Sequence, residues 1–255
     1  MKRKKEFKID LNDKLSLLIS TSGSTGSSKL VRISEKNLYE NTKSIVNYLK
    51  ISKTDICITT LPMSYVYGLS IINTHLHKGC TLVLNEHSVI DKNFWISLIK
   101  NKVTTFSGVP YTYQMLDKIN FYNKDLKYLK YLTQAGGKLD SRINKKILEN
   151  FCNKKRDFIV MYGAAEATAR MSFLPSEFSN KKIGSIGIPI PGGKFWIEDH
   201  NKEEIKKDNQ AGELIYSGKN VCLGYAKNIS DLSKGDVNKG ILRTGDIAKK
   251  DKDNF

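Results

Sequence analysis

Cysteine is scarce in this chain: Cys57, Cys80, Cys152 and Cys222 stand far apart, with no paired spacing, among 255 residues. That scatter excludes a disulfide-stapled secreted scaffold and a cysteine-rich metal site, and it leaves buried thiols in a reducing compartment as the expectation. Histidine is equally sparse. His75 and His77 lie two apart on an expected helix, point to different faces and so do not share a metal. No apolar run approaches the ~20 residues that span a bilayer, which excludes a membrane helix. The basic residues 2–5 are followed by no apolar h-region, which excludes a secretory signal there. A cytoplasmic location is the expectation. Internal repeats and low-complexity segments are absent too.

Acidic residues are in deficit, 26 against 42 basic ones, for a formal charge of +16. Residues 124–131, Lys-Asp-Leu-Lys-Tyr-Leu-Lys-Tyr, interleave lysine with aromatics as a nucleic-acid surface does. The other lysines are spread over the whole chain, so no nucleic-acid partner is expected. The positive field favours ATP and other anionic ligands instead.

The most telling segment is residues 20–31, Ser-Thr-Ser-Gly-Ser-Thr-Gly-Ser-Ser-Lys-Leu-Val. Gly23 and Gly26 allow positive φ and close approach of the backbone to a ligand. Thr21, Ser22, Ser24 and Thr25 add hydroxyl donors, and Lys29 adds a countercharge for phosphate. Apolar runs on either side make the loop the tip of a hairpin. It is not a Walker A loop, because two residues rather than four separate the glycines and no Gly-Lys-Ser/Thr follows. On spacing alone a solvated Ser/Gly turn is an equal reading.

Downstream, short apolar or β-branched runs at 56–60, 81–84, 103–106, 128–133 and 158–161 alternate with helical patterns at 35–49, 68–77, 92–101, 110–119 and 141–151. The alternation predicts an α/β fold, with mostly parallel sheet layers flanked by helices and ligands beyond the carboxyl ends of the strands. From about residue 180 the runs shorten and are broken by glycine and proline: 183–190, 194–198, 213–217 and 221–225. That predicts a core over 1–179, a seam at 179–182 and a small β-rich subdomain at the C-terminal end over 180–255.

The loop resembles the signature of the adenylate-forming enzymes, the acyl-CoA synthetases, luciferases and peptide-synthetase adenylation domains, whose usual string is Thr-Ser-Gly-Ser/Thr-Thr-Gly-x-Pro-Lys-Gly. Thr21 to Gly26 and Lys29 match; Ser28 and Leu30 depart from the proline and the last glycine. Further segments resemble the family in the same order. Leu61-Pro62-Met63-Ser64-Tyr65-Val66-Tyr67-Gly68 is similar to the segment that walls the acyl pocket, with Tyr65 at the place of the aromatic or histidine gate. Ala135-Gly136-Gly137-Lys138-Leu139 resembles the turn that lies against adenine. Met161-Tyr162-Gly163-Ala164-Ala165-Glu166 resembles the segment whose tyrosine stacks on the base and whose glutamate holds magnesium. Gly212-Glu213-Leu214, Gly224-Tyr225 and Arg243-Thr244-Gly245-Asp246 complete the series, with Asp246 at the ribose-binding aspartate. Each alone reads as an ordinary turn or strand end; six in order across the chain do not.

The resemblance implies ATP-dependent activation of a small carboxylic acid to an acyl adenylate, with release of pyrophosphate, en route to an acyl thioester on CoA or an acyl carrier protein. Attack of one anion on another needs Mg²⁺ and cations to offset the charge. Thr25, Lys29 and Glu166 are the implied catalytic residues, Glu166 also the metal ligand. Thr21 to Gly26, Lys29, Gly136 to Lys138, Tyr162 to Glu166, Asp246 and Phe255 are the implied nucleotide-site residues, and Tyr65, Tyr67, Gly108 and Gly163 the implied acyl wall. Ala165 replaces a threonine whose hydroxyl contacts the α-phosphate, a loss of ~1.5–3 kcal/mol. Residues 162–175 are similar to members found with bacterial cell-surface polysaccharide enzymes, which points to a small acid. Residues 251–255 resemble the start of the hinge to a mobile lid bearing a catalytic lysine. The chain is therefore expected to act as a partial or split enzyme with a lid-bearing subunit, or else as a non-catalytic module that holds ATP or an acyl adenylate.

Overall fold

The computed structural model describes residues 9–21, 29–152 and 156–255. Two antiparallel strands open it, β1 (Leu15–Ser20) and β2 (Leu30–Ser34), paired from Leu15 opposite Ser34 to Ser20 opposite Leu30. The expected phosphate loop is thus a hairpin connection, although Ser22, Gly23, Ser24, Thr25 and Gly26 lie outside the described residues. Helix α1 (Glu35–Tyr48) starts where its capping chemistry dictates: Ser34 Oγ accepts from the Asn37 amide at 3.1 Å, and Asn37 Oδ1 accepts from the Ser34 amide at 3.0 Å.

Four strand–helix repeats and a last strand come next: β3 (Ile56–Ile58), α2 (Val66–His77), β4 (Thr81–Val83), α3 (Lys92–Lys100), β5 (Thr105–Gly108), α4 (Pro110–Lys118), β6 (Tyr131–Gln134), α5 (Ser141–Asn150) and β7 (Asp157–Tyr162). The five strands run parallel in the order β4-β3-β5-β6-β7. Starting in the middle, stepping once to one side and then building outward on the other is a doubly wound arrangement, whose ligand crevice opens at the carboxyl ends of the strands. Alternation along the strands feeds two cores. On β7, Phe158 joins Phe94, Phe106, Tyr113, Leu116 and Leu132 beneath α3, α4 and α5, whereas Ile159 and Met161 join Ile45, Tyr67, Ile71 and Tyr131 beneath α1 and α2.

Strands β8 (Ser172–Phe173) and β9 (Ile188–Pro189) extend this sheet antiparallel beyond β7. A separate antiparallel sheet has the order β10-β11-β13, from β10 (Gly193–Glu198), β11 (Gly212–Gly218) and β13 (Ile241–Ala248). Strand β12 (Gly224–Ala226) pairs with β2, opposite Leu30 to Arg32. Two strands beyond the expected 179–182 seam, β9 and β12, therefore complete sheets that begin before it. Only residues 188–189 of the expected strand 183–190 pair, because Gly184 and Gly187 adopt positive φ there. Residues 243–246, readable as a hairpin tip, lie within β13. Cys57, Cys80 and Cys222 are buried free thiols; His75 is buried and His77 exposed.

Arg32 secures β12 and the chain just after it. Its guanidinium is fully buried and donates to the carbonyls of Tyr225, Leu223, Gly235 and Lys234, the first three at 3.2, 3.1 and 3.1 Å. A planar fork of N–H donors suits such a set where an ammonium does not. At the amino ends of the strands, Asp55 accepts from Lys130 at 2.6 Å, Thr104 at 3.1 Å and the Ser52 amide at 2.9 Å, tying β3, β5 and β6 together. Burial pushes the Asp55 carboxyl up, but the hydrogen bonds from Lys130, Ser52 and Thr104 outweigh it and hold the group below its ordinary 3.8.

Two measurements check these clamps. Arg32→Met strands four backbone carbonyls and should lower unfolding free energy by about 3–5 kcal/mol in urea titration, with Arg32→Lys recovering only a part. Asp55, whose folded pKa is depressed, contributes stability that is present above the unfolded carboxylate value and lost as pH falls through the folded one. Stability measured between pH 6 and pH 2 should therefore drop on acidification, and Asp55→Asn should flatten that limb while lowering the neutral-pH plateau.

Candidate active site

Beyond the carboxyl ends of β6 and β7 lies a cavity of about 520 Å³, bounded by Ser20, Thr21 and Lys29 of the hairpin, Tyr65 to Tyr67 at the start of α2, Ala135 and Gly136 after β6, and Gly163 to Glu166 with Ala169 and Arg170 after β7. Segments separated by more than 140 residues in sequence thus face one space. Gly136 and Gly137 take φ of +81° and +147°, and the Gln134 side chain donates to the Gly137 carbonyl at 2.8 Å to hold the turn. A Cβ on Gly136 would fall 2.5 Å from the Tyr65 hydroxyl, so glycine lets that tyrosine close over the turn.

The cavity's outer wall is formed by a sharp reversal after β7. Thr168 and Ala169 both have positive φ, +55° and +110°, a costly conformation for residues with a Cβ. Three side chains hold it. Asn220 Nδ2 donates to the Ala167 and Arg170 carbonyls at 2.7 and 2.9 Å, Asn41 Nδ2 to the Arg170 carbonyl at 3.0 Å, and Thr168 Oγ1 to the Asn220 carbonyl at 2.7 Å. The reversal packs so tightly on β7 that a Cβ at Gly163 would lie 1.7 Å from the Ala169 carbonyl oxygen.

Lys29 and Glu166, both expected at the site, meet through Tyr225, which the sequence reading had placed only in a motif. The Lys29 ammonium sits 4.1 Å above the Tyr225 ring, and the Tyr225 hydroxyl donates to Glu166 Oε1 at 2.6 Å. Burial, and then the bond to Glu166, raise the Tyr225 phenol well above its ordinary value. Tyr162 donates to Asp246, and burial followed by that carboxylate raises its phenol likewise. Ala165 packs with Tyr65 and Tyr225 against the apolar cluster of Ile19, Val31 and Val66.

Other expected residues lie elsewhere. Gly108 does not line the cavity; it is buried where a Cβ would meet Thr112 and Tyr113 within about 3 Å, because β5 runs directly into α4. Gly137 and Lys138 are exposed past the turn. The Phe255 ring packs on Phe178, tilted by 50° with centroids 4.9 Å apart, below Lys182, which pairs with Asp251 and Asp253 at 2.5 and 2.7 Å. Arg170 was missed. Its only signal was its place within residues 162–175, and side-chain direction after a strained turn is not readable from spacing.

A doubly wound α/β sheet with an antiparallel hairpin and a strand-end glutamate at a single crevice has the architecture of the large domain of adenylate-forming enzymes. The chain belongs to the AMP-binding enzyme family, whose model matches residues 2–226. It is 28% identical over 244 residues to the oxalate–CoA ligase of Arabidopsis thaliana, covering 94% of this chain and 46% of that protein. It is 29% identical to the 2-succinylbenzoate–CoA ligase of Bacillus licheniformis, covering 95% and 49%. The chain thus spans about half the length of the curated relatives it matches. In fold it is similar to O-succinylbenzoate coenzyme A synthetase from Bacillus subtilis solved with ATP and magnesium, with a TM-score of 0.82, 24% identity and coverage of 97% and 50%. The N-terminal domain of FACL13 from Mycobacterium tuberculosis superposes with a TM-score of 0.80 at 18% identity, covering 96% and 59%.

Replacing Asn220 with alanine strips the Ala167 carbonyl of its side-chain donor and the buried Tyr216 hydroxyl of its acceptor, and leaves the Arg170 carbonyl to Asn41 alone. We expect a loss of about 2–4 kcal/mol in chemical denaturation, and a larger relative loss of nucleotide affinity than of helix content by circular dichroism.

Proposed function

We propose that this chain binds ATP in the cavity and activates a small carboxylic acid as its acyl adenylate. The observation that carries the reading is the convergence of Lys29, Glu166, the Gly136 turn and the Tyr65–Tyr67 wall on one space. One carboxylate oxygen attacks the α-phosphorus, the bond to the bridging oxygen breaks and pyrophosphate leaves. Lys29 and the loop hydroxyls at 21–26 offset the phosphate charge, and Tyr162 with Asp246 receives base and ribose.

Among the described residues no three His, Cys, Asp or Glu side chains cluster as a metal cage, and Glu166 is the only carboxylate on the cavity wall. That donor set fits Mg²⁺, which keeps water and phosphate oxygens and takes one or two protein carboxylates. When bound, it would neutralise charge developing on the phosphates. The Tyr225 hydroxyl donates to Oε1 and so orients the Glu166 carboxylate, which keeps further acceptor sites for the ion.

In this reading the acyl adenylate goes on to a thioester on CoA or a carrier protein, and the core-and-subdomain division near residues 179–182 places the cavity within the larger part. The lid expected from the resemblance would come from a further segment or a separate subunit, and supplying it in trans should raise acyl-adenylate formation. A second reading, a module that holds nucleotide without turnover, is favoured by one feature, the apolar Ala165 in place of a hydroxyl.

Pyrophosphate exchange into ATP, with Mg²⁺ and a panel of short acids, separates the two. Acid-dependent exchange reduced about 10²–10³-fold by Lys29→Ala and by Glu166→Ala supports activation; nucleotide binding without exchange supports the module. Ala165→Thr restores a donor and should raise exchange by about tenfold.

A further inference from the structure

Two arginines are buried among the described residues, and they are treated differently. Arg32 spends its guanidinium on four backbone carbonyls. Arg170 is 2% exposed and borders the cavity, yet its side-chain partners are of another kind. Its guanidinium lies 3.8 Å over the Tyr67 ring, and Nε donates to the Met161 sulfur at 3.3 Å. The Tyr48 hydroxyl, itself donating to that sulfur at 3.0 Å, is a further polar neighbour, and the Tyr65 and Tyr67 hydroxyls lie within the field of the guanidinium. Among the described residues, no carboxylate pairs with it and no carbonyl accepts from its terminal nitrogens.

A buried cation that meets only a ring face and soft or neutral acceptors is incompletely compensated, because removing a charge from water is offset by a partner of opposite sign and by full hydrogen bonding. The strained reversal at Thr168 and Ala169, held by Asn220 and Asn41, fixes the backbone from which this side chain enters the cavity wall. The surroundings are polar on the same side: Tyr67 shares a hydrogen bond with Thr133 at 2.9 Å, and Thr133 shares another with Ser107 at 2.8 Å. Lys29 and Glu166 are held by Tyr225, whereas Arg170 lies on Tyr67, so the two cations bordering the one cavity have different tyrosine partners. The space, about 520 Å³, falls in the ~300–1,000 Å³ range of small-molecule sites.

We propose that Arg170 is a specificity-determining residue that receives a second carboxylate of the substrate, making the preferred substrates short dicarboxylic acids. The inference rests on the acid-activation reading above. One carboxylate faces the α-phosphate beside Lys29 and Glu166; the other pairs with the guanidinium, whose planar fork matches a carboxylate bidentately. A monocarboxylic acid of the same length leaves the cation unpaired and adds an apolar end beside it.

The test is calorimetric titration of the chain with matched pairs, butanedioate and pentanedioate against their monomethyl esters, with and without AMP. The diacid should bind at least about tenfold more tightly than its half-ester. R170M, which keeps bulk in the site, should abolish that preference by weakening diacid binding about tenfold, with AMP binding reporting that the cavity is still formed; R170K, charged but without the fork, should restore a part of it. Equal affinity for diacid and half-ester, a preference that survives R170M, or no binding of either acid overturns the inference and makes Arg170 a core cation–π partner of Tyr67. Loss of AMP binding in the unaltered chain would instead count against the nucleotide reading, and the titration without AMP still decides the role of Arg170.

Discussion

The reversal of the chain between Gly163 and Arg170 is the constraint on which the crevice depends. It occurs directly at the end of β7, where the sheet's carboxyl edge opens, and it brings Glu166, Ala165 and Arg170 to one wall within a few residues. Its backbone is unfavourable on its own terms, with two consecutive non-glycine residues at positive φ. The contacts that hold it are long-range: Asn220 from the loop before β12 and Asn41 from α1 both reach its carbonyls, and the Cys222 amide donates to the Glu166 carbonyl at 2.8 Å. The parallel sheet, the first helix and the late strands are therefore all needed for one short turn. That explains why β12 pairs with β2: the Arg32 clamp and the strand pairing place residues 220–225 where the turn requires them.

Electrostatics in the crevice follow from the same geometry. The chain is strongly basic, yet among the described residues only two cations stand on the cavity wall, and each lies over a tyrosine ring, Lys29 on Tyr225 and Arg170 on Tyr67. A ring face is a weaker partner than a carboxylate and is released at smaller cost, so both cations remain available to an incoming anion. Glu166, the carboxylate on that wall, is likewise held by a tyrosine hydroxyl rather than by lysine or arginine. Neutral partners keep oppositely charged site groups from collapsing onto one another.

Much of the fold was legible because its signals are local. Alternating apolar runs and helical periodicity marked out the βα repeats, and Ser34, Asp91 and Asp140 cap helices where a short polar side chain precedes a periodic run. The expected strand at 183–190 shrank to two residues because glycines at positive φ break the ladder, and the seam near 179–182 is bridged by pairings that no window of sequence contains. At the site, Lys29, Tyr65, Tyr67, Gly136, Gly163 and Glu166 were placed together by motif, and all of them border the cavity. Gly108 was assigned to it and instead packs beneath α4, since a strand–helix junction looks the same in sequence whichever way it faces.

The sequence by itself determined the class of fold and the chemistry available, because glycine-and-hydroxyl loops, strand-end carboxylates and strand–helix alternation are written in consecutive residues. Only the tertiary structure decided which of those groups face one another. Tyr225 lies 59 residues from Glu166 and meets its carboxylate, and Arg170, nine residues from Met161, turns back onto that sulfur and the Tyr67 ring. Side-chain direction at both places is set by a strained turn and a non-local strand pairing. Neither has a local sequence pattern, since the free energy that maintains them comes from contacts distant along the chain.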